Sequence, residues 1–364
     1  MGCNCTKNIK KEEEAYFDQE QNNENKNKEN NNSSKINEID NNNITKKDSL
    51  ISPLFNKKSK SSTFIEPNLK NKNKEIQKFL ELENEEPKNI LNFKQITTEK
   101  ITEQELNDLL LKYPPPTPAS NGKTQIEIRP STLCENKAVY YGEWEKNNNI
   151  REGRGIQIWP NGAKYSGQWK ENQASGKGKL IHANGEIYEG EWDKDKPNGY
   201  GEYLRKDGSK YIGNWKNDKQ DGEGEEIWAD GSKFKGIFKN GERNGYGVFI
   251  WKDGNSYEGN FENNYMNGKG KYIFSDKRVY EGDWVKNKIE GNGIFTWPDG
   301  RKYEGGFKNG KKEGFGIYTL GNGKIYKGEW KDGKQNGEGE MFLPKENIWR
   351  KGLWENGKRI KWIF

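Results

Sequence analysis

At Tyr140 the pattern of apolar and polar positions along this chain changes character. From there on, an aromatic, a glycine and a second aromatic recur two residues apart, as in Tyr303-Glu304-Gly305-Gly306-Phe307. Period two places Tyr303, Gly305 and Phe307 on one face of a β-strand and the intervening residues on the other. Asn309-Gly310 follows with turn chemistry. The return segment then puts Gly314, Gly316 and Tyr318 on a common face. Asn322-Gly323 turns the chain into the next unit, as Pro298-Asp299-Gly300 does one unit earlier.

The unit repeats. Tyr-x-Gly-x-Trp begins at Tyr140, Tyr165, Tyr188, Tyr211, Phe234, Tyr257, Tyr280, Tyr303 and Tyr326, with a first interval of 25 residues and 23 thereafter. A Gly-x-Gly pair follows each start, from Gly153/Gly155 to Gly337/Gly339, and a degenerate tenth unit, Trp349 to Trp354, reads as a terminal cap. A fixed period of this kind marks a repeat architecture in which each unit packs only on its neighbours. The predicted fold is all-β: an elongated single-layer antiparallel sheet of tandem β-hairpins, some 18 strands about 4.8 Å apart. Each glycine leaves an opening that a ring from the neighbouring strand covers.

Upstream the pattern dissolves. Residues 7 to about 90 are low-complexity, with runs such as Asn41-Asn42-Asn43, and read as a disordered tether. Two short helices are predicted. Glu75–Glu83 carries Ile76, Phe79, Leu80 and Leu82; Thr102–Lys112 carries Leu106, Leu109 and Leu110 behind a Thr102/Glu105 capping pattern and stops before Pro114-Pro115-Pro116. Both are expected to pack on the repeats. The chain divides into a tether with an acylation motif (1–90), a helical, Pro-rich lead-in (91–133) and the array with its cap (134–364).

Composition narrows the function. Hydrophobic residues are 29% and charged residues 32%, too lean for a conventional layered core, while 13 Trp and 43 Gly suit a repeated sheet. No apolar run is long enough to span a membrane as a helix, and no secretory signal opens the chain, which places it on the cytosolic side. Three cysteines form no disulfide framework. Residues 1–133 hold 21 Lys+Arg against 21 Asp+Glu, so the net charge of +6 lies in the repeats. Its interleaved signs do not suit nucleic acid.

Units such as Tyr280-Glu281-Gly282-Asp283-Trp284 and Tyr326-Lys327-Gly328-Glu329-Trp330 resemble the MORN (membrane occupation and recognition nexus) repeat over about residues 138–357. Phe at 238, 261 and 307 in place of Trp, and Lys277 in place of a turn glycine, are the departures. The resemblance implies a scaffold that binds protein or membrane in cytoskeletal, ciliary or membrane-junction assemblies, often as a dimer. A protein partner is expected on the aromatic face at Trp228, Trp251, Phe274 and Trp297, with Tyr257, Tyr280 and Tyr303 beside them. The alternative is direct binding of anionic phospholipids such as phosphoinositides through lysines including Lys308, Lys311 and Lys312. Trp349, Trp354, Trp362 and Phe364, gathered at the end of the array, point to a tail-to-tail homodimer.

The N-terminus reads Met1-Gly2-Cys3-Asn4-Cys5-Thr6, the pattern for myristoylation of Gly2, with Cys3 and Cys5 placed for palmitoylation. An acyl anchor would hold the protein on the cytoplasmic face of a plasma, ciliary or cortical membrane.

Nothing in the chain assembles catalysis, and no cofactor or metal is expected. His182, the one histidine, takes a position where other repeats have Trp228, Trp251 or Trp297, which favours packing. Cys134 precedes the array. Gly122-Lys123-Thr124 lacks the leading glycine of a P-loop, since Thr117 stands there.

Overall fold

A computed structural model describes residues 102–112 and 125–363. The acylation motif, the tether, the Glu75–Glu83 helix, the prolines at 114–116, residues 122–124 and Phe364 lie outside the described residues. The rest is one sheet of 21 strands, numbered β1 to β21 in chain order, preceded by a helix, α1 (Glu103–Lys112). Each strand pairs antiparallel with the next in sequence, from β1 (Ile126–Leu133) to β21 (Lys358–Trp362). The expected meander is therefore present. A lead-in strand and a tenth hairpin, β20 (Ile348–Glu355) with β21, account for strands beyond the 18 expected.

The repeat β16 (Lys302–Lys308) and β17 (Lys311–Thr319) shows how the sequence builds a hairpin. Asn309 and Gly310 have φ of 49° and 76°, both positive, as a two-residue type I′ turn requires. The turn between repeats closes with Trp297 N–H on the Arg301 carbonyl at 3.0 Å, and Gly300 takes φ of 87°. Asp299 Oδ1 accepts from the Arg301 N–H at 3.1 Å, an Asx turn repeated at Asp253 and Asn322. The first interval is 25 because a four-residue loop, 146–149, replaces the usual two, with Glu145 N–H donating to the Ile150 carbonyl at 2.9 Å.

The two glycines of each Gly-x-Gly serve different ends. The first sits in a bulge with positive φ, from 65° at Gly291 to 120° at Gly245. The second belongs to a row that crosses the sheet, one glycine per strand from β2 (Val139–Glu145) to β20, where Gly142 faces Gly155, Gly155 faces Gly167, and so on to Gly352. A tyrosine ring lies flat on this row in nearly every repeat. A Cβ added at Gly270 would stand 2.3 Å from the Tyr257 hydroxyl, and one at Gly316 2.4 Å from that of Tyr303.

α1 forms as predicted and packs on the sheet. Its Thr102 hydroxyl accepts from the Glu105 N–H at 3.2 Å, while Glu105 accepts from the Thr102 N–H at 3.0 Å, a reciprocal cap. Leu106 and Leu109 are buried against Ile156, on the face away from the tyrosines.

Lys277 holds φ of 73° where equivalent turns have glycine. An L side chain in that conformation costs about 1–2 kcal/mol, partly recovered by its smaller entropy loss on folding. Lys277→Gly should therefore raise stability by about 1 kcal/mol, read as a higher urea midpoint with unchanged slope. An unchanged or lower midpoint would contradict this account of the turn.

Candidate functional site

Two lines of rings run across the strands on the tyrosine face. The first is structural. Each repeat-start ring meets the aromatic four residues on and its counterpart in the next repeat edge-to-face: Tyr257 with Phe261 and Trp284, Tyr303 with Phe307 and Trp330. Centroids are 4.9 to 5.5 Å apart, and the ladder is unbroken from Trp144 to Trp354. Such pairs contribute about 0.5–1.5 kcal/mol each beyond burial. The tyrosine hydroxyl donates to the carbonyl three residues on, as Tyr257 to Asn260 at 3.0 Å. Indole Nε1 reaches back to a row glycine, as Trp284 to the Gly270 carbonyl at 3.2 Å. Phe238, Phe261 and Phe307 cannot make that bond. Trp144, with only the bulged β1 before it, has a buried Nε1 without a partner among the described residues.

The second line is local. It runs Trp228, Phe249, Trp251, Tyr272, Phe274, Phe295, Trp297, Tyr318, with consecutive centroids 4.4 to 5.9 Å apart. Trp228, Trp251, Phe274 and Trp297 stand one residue past each return strand, at the start of the turn. Trp228 and Trp251 are half-buried; Phe274 and Trp297 show only their edges. Gln157, Leu180, Glu226 and Met341 occupy equivalent positions in other repeats, where Trp159, His182 and Tyr203 are the other rings in these columns, so the unbroken line belongs to the middle of the array.

Cations join the two lines, a feature the sequence reading missed. Lys312, 3% exposed, places its ammonium 4.6 to 5.3 Å from the ring centres of Trp297, Tyr303, Tyr318 and Trp330. Arg243, at the same repeat position, lies over Trp228, Phe234, Phe249 and Phe261. The signal was a column that holds Ala174, Pro197, Gln220, Met266, Ile289 and Gln335 but is interrupted by the cations Arg151, Arg243 and Lys312.

Several expected contact residues change role. Tyr257, Tyr280 and Tyr303 are fully buried on the glycine row and offer no surface to a partner. Trp354 is buried against Tyr326 as the last rung of the ladder, so it cannot form a dimer contact. Trp349 is 43% exposed, and Trp362 lies beside Arg350 and Arg359. Of the lysines proposed for lipid, Lys312 is enclosed by rings, Lys311 pairs with Asp332 at 3.4 Å, and Lys308 is exposed. His182 sits near Tyr203 as a packing ring. Cys134 packs by Tyr140 at the same repeat position two units earlier, so about 19 Å of sheet separates the two.

The MORN repeat model matches nine consecutive segments, 140–164, 165–187, 188–210, 211–233, 234–256, 257–277, 280–300, 303–325 and 326–347. The chain belongs to the MORN-repeat family. No curated protein matches it. Among solved structures, this MORN-repeat chain is similar to the wild-type TCP10 domain of Danio rerio CPAP, at 13% identity over 57% of this chain and 98% of that one, with a TM-score of 0.34. It is also similar to the TCP domain of SAS-4 (dCPAP) of Drosophila melanogaster, solved with a proline-rich motif of Ana2 (dSTIL), at 12% identity over 53% and 96%, with a TM-score of 0.28.

Burial holds the MORN tyrosines protonated. It pushes the hydroxyls of Tyr188, Tyr211, Tyr257 and Tyr280 above the ordinary phenol value, and that of Tyr326 up to about 12. The folded chain therefore keeps protons that the unfolded chain loses near pH 10. This part of the stability is complete below pH 10 and is lost as pH rises toward the folded values. Tyrosinate absorbance at 295 nm should consequently reach its full amplitude only in a steep late step that coincides with loss of sheet circular dichroism. Full-amplitude ionisation near pH 10 with the sheet intact would contradict it.

Proposed function

We propose that this MORN-repeat chain is a non-catalytic scaffold that holds a protein partner along its second aromatic line, from Trp228 to Tyr318. The observation that carries the reading is where that line occurs. The ladder of tyrosines and tryptophans recurs in every repeat because the fold needs it, whereas the second line is unbroken only across the central repeats. Most of its rings are buried, but Trp228 and Trp251 at its head are half-buried, and neighbouring half-exposed indoles suit an interface. Trp228→Ala with Trp251→Ala leaves the ladder whole, so sheet circular dichroism should persist while specific proteins captured from source cells by wild type are lost. An unchanged set of captured proteins would overturn the assignment.

The scaffold is tethered to the cytoplasmic face of a membrane by acylation of Gly2 and of Cys3 or Cys5, a reading that rests on the sequence motif. One myristoyl chain binds membrane only marginally, and a second acyl chain makes the anchor stable. Gly2→Ala and Cys3→Ser/Cys5→Ser variants should therefore move to the soluble fraction of source cells. Retention of both on membranes would instead favour direct lipid contact by the repeats.

A further inference from the structure

Phe274 and Trp297 are covered, whereas Trp228 and Trp251 stand open. The guanidinium of Arg278 lies 4.7 Å from the Phe274 ring centre, and that of Arg301 5.2 Å from the Trp297 ring centre. Each arginine closes the turn that its ring opens, and an aspartate holds it there: Arg278 Nε donates to Asp276 and Arg301 Nε to Asp299, both at 2.7 Å. The same turn position holds Ser232 after Trp228 and Asn255 after Trp251. These side chains are too short to lie over a ring. Ser232 Oγ accepts from the Lys252 N–H at 3.2 Å and Asn255 Oδ1 from the Ser275 N–H at 2.8 Å, and both indoles are left half-buried.

The open indoles bound a slot. Phe249, 5% exposed, stacks between them, its centroid 5.1 Å from that of Trp228 and 4.5 Å from that of Trp251, with ring planes 26° and 29° apart. A second slot, between Trp251 and the edge of Phe274, has Tyr272 as its floor. Equivalent positions in consecutive repeats are two strands apart, so the slots recur about every 9.6 Å along the array. The indole N–H groups differ from those of the ladder as well. Trp169 and Trp284 donate to row glycines, but among the described residues the Nε1 of Trp228 and of Trp251 donates to nothing, and neither is enclosed as that of Trp144 is.

We propose that these slots take a proline-rich segment of the partner in the polyproline II conformation. The inference rests on the reading of the aromatic line as the partner site and names what enters it. A polyproline II helix brings every third residue round at about 9.3 Å, close to the slot spacing, so prolines at i and i+3 fill consecutive slots. Its carbonyls have no internal partners and point outward, where the free indole N–H groups meet them. An α-helix satisfies its carbonyls internally, and a β-strand pairs with a sheet edge rather than with a face. A segment already held in one conformation also loses little entropy on docking.

The test titrates the full chain into fluorescein-labelled nonaproline and reads anisotropy, with a glycine–serine peptide of equal length as control. Wild type should bind nonaproline saturably and leave the control free. Asn255→Arg should weaken binding about tenfold or more, because it covers Trp251 as Arg278 covers Phe274. Trp251→Phe keeps a ring and loses the N–H, and should weaken binding roughly threefold. Circular dichroism confirms the sheet in each variant. No binding of nonaproline, or equal binding by wild type and Asn255→Arg, overturns the proposal. If nonaproline fails to bind while captured proteins still depend on Trp228 and Trp251, the partner site stands and only its proline-rich occupant falls.

Discussion

A tyrosine ring can lie flat on a β-sheet only where the strands beneath it have no side chains. That contact, repeated over the glycine row from Gly142 to Gly352, is the constraint on which the array depends. It fixes the register, because a slip of one residue would set a Cβ under each ring. It also supplies a core to a sheet that, among the described residues, has no second layer over most of its length. The ring covers two glycines, its hydroxyl closes on a backbone carbonyl, and the indole of the next repeat stands edge-on against it. Every one of these contacts is within a repeat or between neighbours, so stability is a sum of local terms.

The same arrangement frees the remaining positions. With the core confined to one ladder, the outer positions of the tyrosine face can vary, and in the central repeats they carry the second aromatic line with Arg243 and Lys312 buried between the two. The opposite face varies too, hosting α1 at one end.

Much of this was legible in the sequence. Tyr-x-Gly-x-Trp and Gly-x-Gly at a fixed period gave the hairpins and their order, and Thr102 with Glu105 gave the cap of α1. Periodicity says which face a residue takes but not whether that face is covered. For that reason Tyr257, Tyr280, Tyr303 and Trp354 were read as contact residues although they are buried. The two glycines of Gly-x-Gly look alike in sequence; only backbone geometry separates the bulge at Gly268, with φ of 77°, from the close approach at Gly270. Arg243 escaped notice and Lys312 was read as a lipid contact, because a buried cation among rings is recognisable only when the rings are in place.

The measurement that bears most directly on the glycine row is the urea midpoint, by tryptophan fluorescence, of Gly270→Ala beside Gly321→Ala. Gly270 lies under Tyr257, while a Cβ at Gly321 meets nothing closer than 3.6 Å. Overpacking at Gly270 should remove about 3 kcal/mol, with Gly321→Ala close to neutral. Equal midpoints for the two variants would mean that the rings do not depend on the bare row, and the account of the fold would fail.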